Sequence, residues 1–452
     1  VYAFLRLKYV PGSDTIYRGI RRLEPGTLMR VRRDGITRRR YWQIPPVQAA
    51  PRKVSKVAEE IRFLLEDSVR RRLVADVPVG LLLSGGIDST ALLGILHQNG
   101  GSGAKTFSVG FPNFTAFDET VYARKAASRF QADHSELQAE VEGLPDLLFR
   151  LAWQMDEPIS DPAIFPTYIL CRYASKNVKV ALSGEGADEL FAGYNKYWKD
   201  RWLTRFRRLP RPVRSAGLGL IARMGKGSRR WRRIGRRLQM PAGIQRHLDW
   251  SALFSPEELR ELSGGFFGPR EEDRLQENLR SLIPAQPGDP LDAALRIDLC
   301  GSLVNSLLMK VDKIGMACSL EVRVPYLDHR LVELAATLPA SWKVRHGDNK
   351  WVLKQAIGDL LPRSIRDRPK HGFDVPVSAW LRDGLRETAR RCLGPESVTE
   401  RRFFRKGAVG AILQDHLSGR EDRGEQVWGL LILEAWFRTF IEPGGMPRGR
   451  IT

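Results

Sequence analysis

Two short stretches carry residue types able to do chemistry on a phosphoanhydride. The first is Leu83-Ser84-Gly85-Gly86-Ile87-Asp88-Ser89-Thr90. An apolar run leads into it and a helix-like run leaves it. Its backbone N–H groups and the positive helix end therefore point at one place, which suits a phosphate. The glycines let the backbone come close, and Ser84, Ser89 and Thr90 add hydroxyl donors. Asp88 would repel bare phosphate, so its natural role is to hold Mg²⁺ on a pyrophosphate. No Gly-Lys-Ser/Thr follows, so this is not a Walker A loop. The second stretch is Leu182-Ser183-Gly184-Glu185-Gly186-Ala187-Asp188-Glu189-Leu190. It too follows a strand-like run and opens a helix. Glu185 and Asp188 stand three apart on one face of the first turn. There, one carboxylate can bind a cation while the other acts as a general base.

Both stretches need a strand before them and a helix after them. Val77–Leu83 is a short apolar run suited to a buried parallel strand, and Ile87–His97 continues as a helix. Upstream, Val57, Ile61, Leu64, Leu65, Val69 and Leu73 recur at helical spacing. Lys105–Phe111 and Val178–Leu182 read as further strands, separated by helical stretches over about 118–130, 144–155 and 164–176. This alternation predicts an α/β fold with a parallel sheet and right-handed crossovers. After Glu185 the chain reads mainly helical. Near the start, Val1–Leu5 is strand-like, and Thr27–Val31 and Ile36–Trp42 flank Asp34-Gly35, the pattern of a β-hairpin. The Pro-containing run from Ile44 to Pro51 predicts a domain boundary, dividing the chain into residues 1–50 and 51–452.

Composition narrows the class. Of 452 residues, 42% are hydrophobic and 28% charged, an ordinary globular balance. No apolar run reaches the roughly 20 residues that span a bilayer, and a membrane partner is not expected. Cys171, Cys300, Cys318 and Cys392 form no CxxC pair, which argues for buried free thiols and a cytoplasmic setting. The net charge is +21, with fifteen Lys or Arg against the single acid Asp200 between Lys199 and Arg237. That segment predicts a solvated basic face on surface helices. It is also the one feature that would favour a nucleic-acid partner.

The first turn resembles the loop of the pyrophosphate-loop (PP-loop) ATPases, which cleave ATP to AMP and pyrophosphate. The string Ser183-Gly184-Glu185-Gly186-Ala187-Asp188-Glu189-Leu190-Phe191-Ala192-Gly193-Tyr194 then resembles the asparagine synthetase family, of the glutamine-hydrolysing, class B type. Similar too are Lys310-Val311-Asp312-Lys313 through Glu321 to Asp328, Lys350-Trp351-Val352-Leu353-Lys354, and Arg368-Pro369-Lys370-His371-Gly372-Phe373. Residues 1–42, with Pro11-Gly12 and Leu23-Glu24-Pro25-Gly26, resemble the end of that family's glutaminase (Ntn-type) domain. The basic segment 199–240 is the part least matched.

The resemblance implies a PP-loop (adenine nucleotide alpha hydrolase-like) domain over 51–452 with a largely helical C-terminal part, preceded over 1–50 by a β remnant of the glutaminase domain. It implies ATP and Mg²⁺ as cofactors. Leu83 and Val109 would offer backbone contacts to AMP, with Ser183 and Gly184 alongside and Ser84, Gly85, Gly86, Asp88, Ser89 and Thr90 forming the loop. Asp88 and Asp188 would hold the metal. Glu185 would position or deprotonate ammonia attacking β-aspartyl-AMP. Lys370 would neutralise charge at phosphorus or on departing pyrophosphate. Arg323 would either clamp a substrate carboxylate or form an internal ion pair. The expected partners are small molecules: aspartate or a related carboxylate, and ammonia released from glutamine in a domain outside this chain. A homodimer fits, and nucleic acid is not expected.

The family hydrolyses glutamine with an N-terminal Cys whose domain is absent here, so this chain is expected to use free ammonia. β-Lactam synthetases and lasso-peptide cyclases share the architecture but close intramolecular amides. The β-lactam enzymes carry Tyr where Glu185 stands, which favours ammonia as the nucleophile. An RNA-modifying PP-loop enzyme is disfavoured, because the paired cysteines of sulfur transfer are missing.

Overall fold

The computed structural model describes residues 1–48, 53–101, 103–111, 113–139, 143–207, 209–225, 229–282, 288–368, 372–394, 401 and 403–442. The N-terminal apolar run does not form the strand it predicts. It forms a short helix, α1 (Tyr2–Leu7), closed by Lys8 in the left-handed region at φ +74°. Six residues are too few to hold a helix alone, so packing decides. Phe4, Leu5 and Leu7 are buried, and Arg6 inserts beside them. Its Nε donates to Glu272 at 2.9 Å and its Nη1 to the Phe254 carbonyl at 2.9 Å. The hairpin forms, with β1 (Thr27–Arg32) antiparallel to β2 (Gly35–Arg40). Its two turn residues are Arg33 and Asp34, one position earlier than the Asp-Gly rule suggests.

From α2 (Val54–Arg72) onward the predicted alternation holds. The elements are β3 (Val79–Leu82), α3 (Ile87–Gln98), β4 (Lys105–Gly110), α4 (Thr120–Arg129), β5 (Asp133–Gln138), α5 (Leu144–Met155), α6 (Ile164–Ala174), β6 (Val180–Leu182), α7 (Ala187–Phe191) and, much later, β7 (Glu321–Arg323). The five strands β3–β7 form one parallel sheet ordered β5-β4-β3-β6-β7. Both of its faces are covered, which is why its central strands are apolar on both sides. Phe107, Val109 and Ala181 join a core with α5, α6 and the helix Gly424–Phe440. Leu81, Leu83 and Leu182 join another with α2, α3 and α4.

The basic segment lies on α8 (Asn195–Phe206), α9 (Arg211–Gly225) and α10 (Arg229–Gln239). The expected solvated face describes only part of it. On α10, Arg229 pairs with Glu258 at 3.1 Å, Arg232 with Glu421 at 2.6 Å, and Arg236 and Arg237 with the buried Asp249, the latter at 2.8 Å. Arg233 is pulled down to about 10 by burial and then by the charges of Arg229 and Arg237. Charge spacing alone could not reveal this, because the acids come from other elements. Further on, residues Leu299–Leu308 form a ten-residue π-helix between two α-helices, Pro290–Asp298 and Met309–Ala317. Such long π stretches are rare and often mark functional sites.

Candidate active site

The strand order fixes the place. The chain lays down β3, β4 and β5 outward, then returns past β3 to add β6 and β7. β3 and β6 are thus neighbours from which the chain departs in opposite directions. Open parallel sheets bind ligands outside the C-terminal ends of their strands at such a reversal. The two Gly-rich turns follow these two strands.

The turns touch each other. A Cβ on Gly184 would meet the Asp88 Cβ at 3.0 Å and the Ser89 nitrogen at 3.2 Å. Gly85, at φ +72°, lies against the backbone of Tyr122 and Ala123 at the start of α4, leaving no room for a side chain. In the first turn the Ser84 N–H donates to Ser89 Oγ at 3.3 Å, and the two hydroxyls lie 3.1 Å apart. Tyr326 OH donates to the Asp88 carbonyl at 3.2 Å and holds the first turn of α3. The turns open on a cleft of about 470 Å³. Leu83, Ser84, Gly86, Asp88, Ser89, Val109, Ser183, Gly184, Glu185 and Asp188 all line it. Of the residues expected at the nucleotide, Gly85 lies behind the lining and Thr90 is fully buried in α3.

Asp88 and Asp188 come together around Lys350, to which no role falls from the sequence motif that contains it. Lys350 Nζ lies 2.7 and 2.6 Å from the two Asp88 carboxylate oxygens and 2.6 Å from Asp188 Oδ1. It is 3% exposed. A small hairpin, Val344–Arg345 paired with Asp348–Asn349, delivers it, and Lys350 itself turns in at φ +57°. Gly193 makes room, since a Cβ there would overlap both the Asp188 carboxylate and the Lys350 stem. The motif Lys350–Lys354 was visible in the sequence, but nothing in it tells which lysine turns inward.

The acids around the second turn have different fates. Glu185 and Asp188 face the cleft. Glu189 is buried, and burial followed by the Asp188 charge pushes its carboxyl up to about 8 while Tyr194 OH donates to it at 2.6 Å. Burial and that charge thus favour its neutral form. Across the cleft, Lys310 donates to Asp161 Oδ2 at 2.7 Å. Burial works against its charge, but Asp161 and then Glu185 more than offset that and raise it. Lys310 is the one Lys or Arg among the described lining residues.

Arg323 does not join the cleft. Its Nε and Nη2 bond Glu321 at 2.7 and 3.3 Å, and its Nη1 donates to the Arg72 and Val74 carbonyls at 2.7 and 2.9 Å. Only its carbonyl serves the site, accepting from the Ser183 N–H at 2.9 Å. Of the two readings, the internal ion pair is the one found. Lys370 lies outside the described residues. Nearby, Arg368 pairs with Glu119 of the cleft wall and stacks over Tyr122 at 4.0 Å, while Gly372, Phe373 and Asp374 line the cleft. Cys171 is buried, its thiol pushed up to about 12 mainly by burial, so it is no nucleophile at neutral pH.

A second cavity of about 590 Å³ lies between Leu23–Pro25, Trp42–Ile44 and the π-helix residues Leu299, Cys300, Leu303 and Val304. Leu308 and Met309 bound it, while Leu307, Lys310 and Val311 bound the first. The two cavities thus share one stretch of wall.

Comparison with known proteins agrees with this arrangement. The family model described as asparagine synthase matches residues 60–438. A putative glutamine-hydrolyzing asparagine synthetase of Mycobacterium tuberculosis is 35% identical over 98% of this chain and 67% of its own length. The glutamine-hydrolyzing asparagine synthetase 1 of Bacillus subtilis is 31% identical over 98% of this chain and 69% of its own. A more distant relative, the amidase chyE of Penicillium rubens, is 24% identical over 91% of this chain. With both Gly-rich turns meeting at the reversal of the sheet and the family matched along most of its length, the chain belongs to the asparagine synthase family and is a carbon–nitrogen ligase.

Proposed function

We propose that this chain adenylates the side-chain carboxylate of aspartate and captures the acyl-adenylate with ammonia, giving asparagine, AMP and pyrophosphate. One observation carries the reading: Asp88, Asp188 and Glu185, from two turns far apart in sequence, line a single cleft at the strand reversal. In the first half-reaction a carboxylate oxygen bonds to the α-phosphorus and the bond to pyrophosphate breaks. Ser84, Gly86 and Ser89 would bond the phosphates, with Leu83, Val109, Ser183 and Gly184 beside the nucleotide. In the second, ammonia bonds to the acyl carbon and AMP leaves. Ammonium must first lose a proton, and Glu185 at the cleft wall is the candidate base. Lys310, whose charge Glu185 reaches, is a better candidate than Arg323 for meeting a substrate carboxylate.

The residues fit Mg²⁺. The carboxylates of Asp88 and Asp188 converge on one point where the Lys350 ammonium now stands in for a cation. No group of three His, Cys, Asp or Glu among the described residues could hold a metal. Two carboxylates would therefore be its protein ligands, with nucleotide phosphates and water completing the shell, as this ion prefers. Mg²⁺, when bound, would neutralise phosphate charge. Lys350, and Lys370 by resemblance, would supply compact positive charge for phosphate oxygens.

Residues 1–50 are read as the end of a glutaminase domain, and 51–452 as the ligase. In support, the similarity to the two synthetases extends over 67% and 69% of their lengths. The second cavity, walled partly by residues 12–46, is a suitable entry for ammonia. The test is ATP–pyrophosphate exchange over a panel of carboxylates, aspartate first, followed by amide formation with ammonium. Exchange is expected with aspartate. Its absence there, with exchange on another carboxylate, would replace the substrate.

A further inference from the structure

The amide-forming site leaves the basic helices unexplained, and their exposure divides them. Arg229, Arg232, Arg236 and Arg237 of α10 pair with acids. Lys199, Arg205, Arg211, Arg223 and Arg230 are exposed, and none of these five forms an ion pair with an acid among the described residues. Asp200, the one acid of the segment, is taken by Arg246 Nε at 2.7 Å and Trp250 Nε1 at 2.9 Å.

Large apolar side chains share the exposed part. Trp202, Leu209, Val213, Leu220 and Met224 are 54, 42, 53, 61 and 42% exposed. On α9, Val213, Leu220 and Met224 are seven and four residues apart, so at helical pitch they form one stripe. The flank of α9 beside this stripe is used internally: Ile221 lies against Gly235 of α10, 3.3 Å from where a Cβ would stand. Trp202 stacks on Phe206, which itself packs against Gly217. Arg205 flanks Trp202 at helical spacing, and Arg223 flanks the α9 stripe.

We propose that this face of α8 and α9 docks on an anionic lipid surface. A solvated face gives no reason for an apolar stripe, and nucleic-acid phosphates would be met by arginines without one. An anionic bilayer calls for both. Apolar side chains enter the headgroup boundary while the arginines stay with the lipid phosphates. No helix among the described residues is long and apolar enough to cross a membrane, so the contact is interfacial.

The test is sedimentation of the whole chain with vesicles of phosphatidylcholine alone and of phosphatidylcholine with phosphatidylglycerol, at low and high salt. Binding is expected to the anionic vesicles, and to weaken as salt rises. Leu220→Ser with Met224→Ser keeps every charge, and is expected to lower vesicle affinity roughly tenfold or more while leaving Tm unchanged. Arg205→Gln with Arg223→Gln should weaken it as well. Failure of the wild-type chain to sediment with anionic vesicles would overturn the proposal. So would unchanged vesicle affinity in the serine variant together with competition by RNA, which would make this a nucleic-acid face. Self-association of the wild-type chain that the serine variant abolishes would assign the stripe to a second copy instead. None of these readouts depends on the amide-forming reaction.

Discussion

The two Gly-rich turns share a backbone plan and oppose each other in charge. Each leaves one of two neighbouring parallel strands and opens a helix at the same end of the sheet. The first enters α3, twelve residues long and largely buried, whose one acid is Asp88. The second enters α7, five residues long, with Asp188 and Glu189 in its first turn and Glu185 just before it. A three-turn helix concentrates its positive end on the turn, whereas a helix of barely one turn contributes little and its acids dominate. The first turn therefore suits a polyanion and the second a cation or an amine. Similar local geometry does not make the two halves interchangeable.

The largest effects should come from where the halves meet. Asp88→Asn and Asp188→Asn are each expected to abolish ATP–pyrophosphate exchange while the chain stays folded. Activity surviving in one of them would break the shared-cation picture. Next, Glu185→Gln should lower amide synthesis by about 10²–10⁴-fold. Acyl-adenylate should still be trapped when ammonia is omitted. If adenylate fails to form, Glu185 belongs to the phosphate half and the division of labour is wrong.

Smaller effects test the backbone. Gly85 and Gly186 both have positive φ, +72° and +90°, but their surroundings differ. A Cβ on Gly85 strikes the Ala123 and Tyr122 backbone, while one on Gly186 strikes the Leu327 side chain, which can move. Gly85→Ala should cost about 3 kcal/mol or more in urea unfolding, and Gly186→Ala about 1–2 kcal/mol. The reverse order would mean that the second turn is the more rigid. The smallest effect is expected at Arg323. Arg323→Ala should cost about 1 kcal/mol of stability and leave KM for the carboxylate unchanged. A raised KM would return Arg323 to the substrate.

The parts of the fold legible in the sequence are those where one signal suffices. β3 and β6 are apolar runs ending in glycine turns, and α2 repeats Val57, Ile61, Leu65 and Val69 on its buried face. The edge strands hide. β5 reads Asp133-His134-Ser135-Glu136-Leu137-Gln138, polar because an edge is half solvated, and β7 has only three residues. α1 was hidden differently, since an apolar run of five residues carries no period and tertiary packing made the choice. In the site, residues within the turns were legible. Lys350 was not, because its place depends on a hairpin bend and on the missing side chain of Gly193. The same holds for the α10 arginines, whose partners lie 12 to 189 residues away.

Helix α1 also sets a clock for synthesis. Arg6 meets Glu272, 266 residues later in the chain. At translation rates of about 5–20 residues per second, its partner emerges on the order of 10–50 s after it. Through that interval Arg6 lacks its carboxylate partner, although the finished protein buries Phe4, Leu5 and Leu7 beside it almost completely. A segment made 266 residues before its partner is thus seated late. The hazard of misassembly at this corner follows the pace of the ribosome and the supply of chaperones more closely than the stability of the completed fold.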